Sequence, residues 1–129
     1  GSDNPPGLRL QFFATDEGIE LDYVAPAHLE GAPGIVHGGV QGTLLDEAFC
    51  MAAYARCGTS VVTGELTVRY LRPVPTGTAL VVRGRIVEER ERSYGVEGGI
   101  YLAATGEELS RGRGWFFVAP RTGEGDVRT

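Results

Sequence analysis

Between residues 39 and 56 apolar positions recur at three- and four-residue spacing, whereas elsewhere they alternate or run in short blocks broken by Gly, Pro and charge. The first pattern predicts one long helix and the second predicts strands. Two short strands are expected ahead of the helix, "LRLQFFA" (8–14) and "IELDYV" (19–24), joined by a hairpin turn at "TDEG". "PAHLEGAPG" (26–34), rich in Pro and Gly, is expected to be a loop that delivers the chain to the helix. Four more strands are expected over 61–74, 78–89, 94–105 and 108–119, with turns at "PTG", "RERS" and "GE". Two strands, one helix and an antiparallel run make an α+β order rather than βαβ winding. Five glycines inside those strands, Gly84, Gly98, Gly99, Gly112 and Gly114, predict bulges or strong curvature.

At about 100° per residue, Val40, Leu44, Ala48, Met51 and Ala55 share one helix face, flanked by Leu45 and Ala52, and form the expected core stripe. Asp46 points nearly opposite. Around it lie Gly39, Gly42, Thr43, Cys50 and Ala53, all small and uncharged, where a solvated helix back would carry several charges. Both faces are therefore expected to be covered. The large-residue face would meet a curved sheet that wraps the helix, and a partner subunit could close over the small-residue face.

The chain has 129 residues, 42% of them hydrophobic, which fits one domain over 8–119. Residues 1–7 read as a tag remnant and flexible start, and 120–129 as a flexible polar tail. A net charge of -5 argues against nucleic acid as a partner, since phosphate-backbone binding rests on clustered positive charge. All 12 basic residues are arginine, which removes Schiff-base and P-loop lysine chemistry. Cys50 and Cys57 would stand about 10 Å apart on the helix, too far for a bridge. Two unbridged thiols, with no cationic leader and no long apolar run, suggest a cytoplasmic protein without a membrane partner.

A carboxylate on a covered face is costly unless paired, and desolvation makes such a group a stronger proton acceptor. Asp46 is therefore a candidate base, the alternative being that it only bonds a backbone group or an arginine. "HGG" at the helix start offers backbone N–H groups that lack intrahelical partners, an arrangement able to stabilise an oxyanion or simply to make a tight turn. His37 reads equally as an orienting or core histidine. No metal site is expected, because His28 stands in no ligand spacing with it. There is no G-x-S-x-G elbow, P-loop, dinucleotide-binding glycine motif or C-x-x-C, so serine hydrolase and redox readings fall away. The two cysteines are expected to serve packing.

"HGGVQGTLLDEA" followed by "VVTGELTVRYLRPVPTG" resembles the hotdog-fold thioesterases of the PaaI-like group, and "EGAPGIVHGG" is similar to the Them-type acyl-CoA thioesterases. The likeness covers about residues 27–118. It implies a hotdog fold, one long helix wrapped by a curved antiparallel sheet of five to six strands, and hydrolysis of an acyl-CoA thioester without a cofactor beyond the substrate's own coenzyme A. By this resemblance Asp46 matches the helix carboxylate that acts as base or nucleophile, and Gly38 the glycine whose N–H polarises the thioester carbonyl. His37 matches the histidine beside that site, Thr63 the strand hydroxyl that holds the attacking group, and Gly39 and Glu47 fall among the substrate-binding positions. The asparagine that some relatives carry before the histidine is absent from "HLEGAPG". The family shares each site between two subunits, so a homodimer or a dimer of dimers is implied. Arg69, Arg72, Arg90 and Arg92 could meet coenzyme A phosphates, but surface arginines are usually just solvated, and they are not assigned to the site. A non-catalytic acyl-CoA-binding hotdog protein is the competing reading, and a hydratase a distant third.

Overall fold

A computed structural model of the protein describes residues 12–14 and 18–120. Most of the first expected strand, residues 15–17 of the expected turn, the start at 1–7 and the tail after 120 lie outside the described residues. In order come β1 (Phe12–Ala14), β2 (Gly18–Val24), a 3-10 turn at Ala27–Leu29, α1 (Gly38–Cys57), β3 (Val61–Tyr70), β4 (Ala79–Arg90), β5 (Ser93–Leu102) and β6 (Glu108–Val118). The strands form one 6-stranded sheet in the order β1-β2-β4-β5-β6-β3, antiparallel throughout. Helix α1 thus carries the chain from β2 across the sheet to its far edge, where β3 pairs with β6 alone. The one-helix, antiparallel-sheet expectation stands, with strand bounds shifted: β4 runs on to Arg90 and β5 begins at Ser93, inside the expected turn, and β5 stops at Leu102. The strand expected over 61–74 stops at Tyr70, because Pro73 and Pro75 have no N–H to give a ladder. Among the described residues no helix is long and apolar enough to cross a membrane.

What seats the helix is a trench of missing side chains. Gly84, Gly98 and Gly112 face one another across β4, β5 and β6, and the Phe49 ring lies over all three. A Cβ would come within 2.8 Å of the ring at Gly84 and at Gly98 and within 3.2 Å at Gly112. Phe49 also meets Phe116 edge to face at 6.2 Å. The register shifts fall elsewhere, at Thr63/Glu65, Ile86/Glu88 and Ile100/Tyr101. The five strand glycines are therefore not bulge markers, and three of them accommodate one large aromatic.

Phe49 also corrects the helix phase. The buried helix positions are Gln41, Leu44, Leu45, Ala48, Phe49, Ala52 and Ala53. Relative to the expected stripe this face is turned by roughly a quarter of a revolution. Val40 and Met51 become half-buried flanks, Ala55 is exposed, and Ala53 moves from the small-residue face into the core. The largest side chain sets the rotation, since only the trench can take it. Asp46 accordingly sits at the margin of the buried face rather than opposite it.

Gly98 is the least replaceable residue in this arrangement, because an added Cβ would overlap the Arg83 carbonyl as well as the Phe49 ring. Gly98→Ala should lower the unfolding free energy by at least about 2 kcal/mol in urea titration, the usual scale of overpacking. A loss within experimental error would mean that the trench does not set the packing.

Candidate active site

The approach to α1 is held by backbone bonds that its Pro and Gly content does not announce. Val36 N–H donates to Val74 O at 2.8 Å, and His37 N–H to Leu29 O at 3.0 Å. Buried Gln41 donates from Nε2 to Val36 O at 3.1 Å. The chain therefore enters the helix in a fixed direction, with His37 as its N-cap.

His37 Nδ1 accepts from Gly39 N–H at 2.9 Å. An accepting Nδ1 carries no proton, so the ring proton of the neutral imidazole is on Nε2. The cap takes up the Gly39 donor. Gly38 N–H, by contrast, has no hydrogen-bond partner among the described residues. Of the two glycine amides expected at the helix start, Gly38 is thus the one left to meet a ligand, and it sits where the helix dipole adds partial positive charge. A Cβ at Gly39 would stand 3.1 Å from His37 Nδ1, close enough that the capping ring would have to shift slightly.

Two turns on, half-buried Asp46 accepts at Oδ1 from Thr63 Oγ1 at 2.7 Å. Asp46 is thus held by a hydroxyl, and the ion pairs of the described arginines run to glutamates instead. Thr63 reaches Asp46 only because β3 is bulged. In a regular strand Thr63 and Tyr70, seven residues apart, would point to opposite faces. The register shift between Thr63 and Glu65 inserts one residue, so both point towards the helix. Gly64 allows it, lying where a Cβ would collide with the Phe117 ring.

Cys50 is a neighbour that sequence reading assigned to packing alone. Its Sγ lies 3.5 Å from Thr63 Oγ1. Because the single Thr63 proton goes to Asp46, the thiol is the donor in that contact. The chain Cys50 to Thr63 to Asp46 runs in one direction and leaves Asp46 Oδ2 for something else. Burial pushes the Cys50 thiol up to about 11; a Thr63 hydroxyl turned to a thiolate would work against this, and the charges of Asp46 and Glu47 add to it. The i, i+4 spacing of Asp46 and Cys50 was the available signal. Glu47 is half-buried one position further round the helix, where its charge reaches Cys50.

Gly38 and Asp46 stand eight residues apart on one straight element, about 12 Å along its axis. The structure therefore brings Asp46, Thr63 and Cys50 together, and His37, Gly38 and Gly39 together, as two clusters on one helix. Of the arginines considered for phosphate contacts, Arg72 pairs with Glu107 at 2.9 Å and Arg90 with Glu88 at 2.9 Å while covering the Trp115 ring. Arg69 instead faces the other side of the sheet, in a groove of about 630 Å³ with Arg85, Arg111 and Arg113. Among the described residues no three His, Cys, Asp or Glu side chains converge as a metal-binding group.

The sequence profile of the thioesterase superfamily matches residues 33–108, and the chain belongs to that family. It is 37% identical over 59 residues to acyl-coenzyme A thioesterase THEM4 of Xenopus laevis, a match covering 46% of this chain and 26% of that protein. It is 36% identical over 55 residues to acyl-coenzyme A thioesterase THEM5 of Mus musculus, covering 43% and 22%. The match thus spans about a quarter of the length of these curated relatives. Among solved structures, the BH2602 protein of Bacillus halodurans with CoA superposes with a TM-score of 0.75 at 30% identity, over 86% of this chain and 74% of that one. The PaaI protein of Escherichia coli superposes with a TM-score of 0.74 at 21% identity, over 84% and 82%, and shows the shared hotdog fold.

The half-buried thiol has a chemical consequence. Alkylation of Cys50 at pH 8, followed by mass spectrometry, should run at least about tenfold slower than that of an unburied thiol and accelerate only as pH approaches 11. Labelling of Cys50 at the rate of a free peptide thiol would contradict the desolvation of its Sγ at the helix–β3 contact.

Proposed function

We propose that the protein hydrolyses an acyl-CoA thioester to the free acid and CoA, in a site made of Asp46 and Thr63 from one copy and Gly38 from a second. The observation that carries this reading is the pairing of an unpartnered amide, Gly38 N–H, with a carboxylate aimed by Thr63, set too far apart along one helix to act on the same carbonyl. Two copies with their helices side by side and reversed would bring each Asp46 to the other's Gly38. Half-buried Asp46 and the small residues Gly42 and Thr43 beside it would form the contact face. β3 supports the same assembly. It is an edge strand with exposed apolar residues, Val62 at 49% and Tyr70 at 55%, of the sort a second chain covers.

In this reading the thioester carbonyl oxygen accepts from Gly38 N–H, and negative charge gathers on that oxygen as the carbonyl carbon is attacked. Asp46 Oδ2 either takes the proton of the attacking water or attacks the carbon itself, giving an anhydride that water then opens. Collapse of the adduct breaks the C–S bond and expels the coenzyme A thiolate, which takes up a proton. Thr63 keeps Oδ1 engaged so that Oδ2 is the reacting oxygen. His37 holds Gly39 N–H, leaving Gly38 as the donor. The thioester is electrophilic enough for these groups to suffice without a further cofactor. A carboxylate aligned by a 2.7 Å hydrogen bond favours this over mere acyl-CoA binding, which needs no aligned base.

Asp46→Asn should reduce kcat on a panel of acyl-CoA esters by at least about two orders of magnitude, with the melting temperature kept. Free-thiol release measures the first and calorimetry the second. Wild-type protein that binds the esters without turning any over would establish the binding-protein reading instead.

A further inference from the structure

We infer that the Tyr70 hydroxyl is a positioning group that fixes the Gly38 amide for the thioester carbonyl, an inference that rests on the function proposed above. The first five residues of α1, Gly38, Gly39, Val40, Gln41 and Gly42, include three glycines. Each glycine costs a helix about 1 kcal/mol relative to alanine, and the first turn is the part with fewest internal bonds. The oxyanion donor therefore sits in the least self-ordering stretch of the helix.

Most side-chain bonds that steady this turn are local. His37 accepts from Gly39, Thr43 donates to Gly39 O at 3.1 Å, and Gln41 donates to Val36 O. Tyr70 is different. From β3, 32 residues away in sequence, its hydroxyl donates to Gly38 O at 3.0 Å. The ring lies against Gly38, with atoms 3.4 Å from where a Cβ would stand. Among the described residues the other side-chain bonds at the first helical turn stay within the helix and its approach, whereas this one ties the turn to the sheet. The bulge that turns Thr63 towards Asp46 leaves Tyr70 on the same face, so one strand holds both clusters of the site. Thr63 aims the carboxylate, and Tyr70 holds the residue that carries the donor. In the single chain Tyr70 is more than half exposed, so the bond adds little to the core and lies instead on the β3 edge that the second copy would cover in the proposed assembly.

Tyr70→Phe keeps the ring and removes only the bond. In the wild-type and variant proteins, amide hydrogen exchange over residues 37–42 and steady-state kinetics on acyl-CoA esters are measured together. Exchange should accelerate and kcat fall, each roughly tenfold, with KM little changed and the melting temperature within a few degrees. The loss should stay below that for deleting an oxyanion donor, about 10²- to 10³-fold. Unchanged exchange, or faster exchange with unchanged kcat, overturns the inference while leaving the proposed hydrolysis intact. An inactive wild type sinks the function instead, and this inference with it.

Discussion

The packing of the Phe49 ring into the trench formed by Gly84, Gly98 and Gly112 is the constraint on which the rest of the molecule depends. It fixes how deeply the helix lies on the sheet and, through the 100° step of the helix, the direction of every other helical side chain. With Phe49 inward, Leu45 and Ala52 are buried beside it and Asp46 comes to the border of the buried face. A helix turned to bury Met51 and Ala55 would direct Asp46 away from β3. Packing thus determines whether the carboxylate can meet Thr63.

The chemistry depends on a second constraint, the bulge at Gly64. Strand geometry alone would aim Thr63 away from the helix, and one inserted residue reverses that while leaving Leu66, Val68 and Tyr70 facing inward. The strand concerned is the one that α1 places at the sheet edge, where a neighbouring chain can approach. In the proposed assembly the small residues of the helix and the free edge of β3 have a common purpose. They let a second copy come close enough to supply the amide that this copy holds about 12 Å from its own carboxylate.

Much of this was legible in the sequence, and the limits have a physical origin. The helix, the α+β order and the spacing of Gly38 and Asp46 follow from local pattern, and the family resemblance named Thr63. The strand glycines were visible, but their function was not, because a trench exists only when three strands are aligned and the register is a long-range property. The same holds for the helix phase, which a single aromatic reset against a periodicity shared by several smaller residues. Cys50 and Tyr70 escaped for a related reason. Each acts through a partner on another element, Thr63 for Cys50 and Gly38 for Tyr70, and nothing in the local sequence marks either contact.

The shared site is tested most directly by subunit complementation. Gly38→Pro removes the N–H at a helix position where proline is well tolerated, after a His37 whose extended φ of -56 and ψ of 139 already suit it. Asp46→Asn removes the base. Each variant alone should be nearly inactive, but after unfolding and refolding an equal mixture, about half the dimers are mixed and each has one intact site, restoring about a quarter of wild-type activity. A refolded mixture that forms mixed dimers yet remains as inactive as its components would contradict the account.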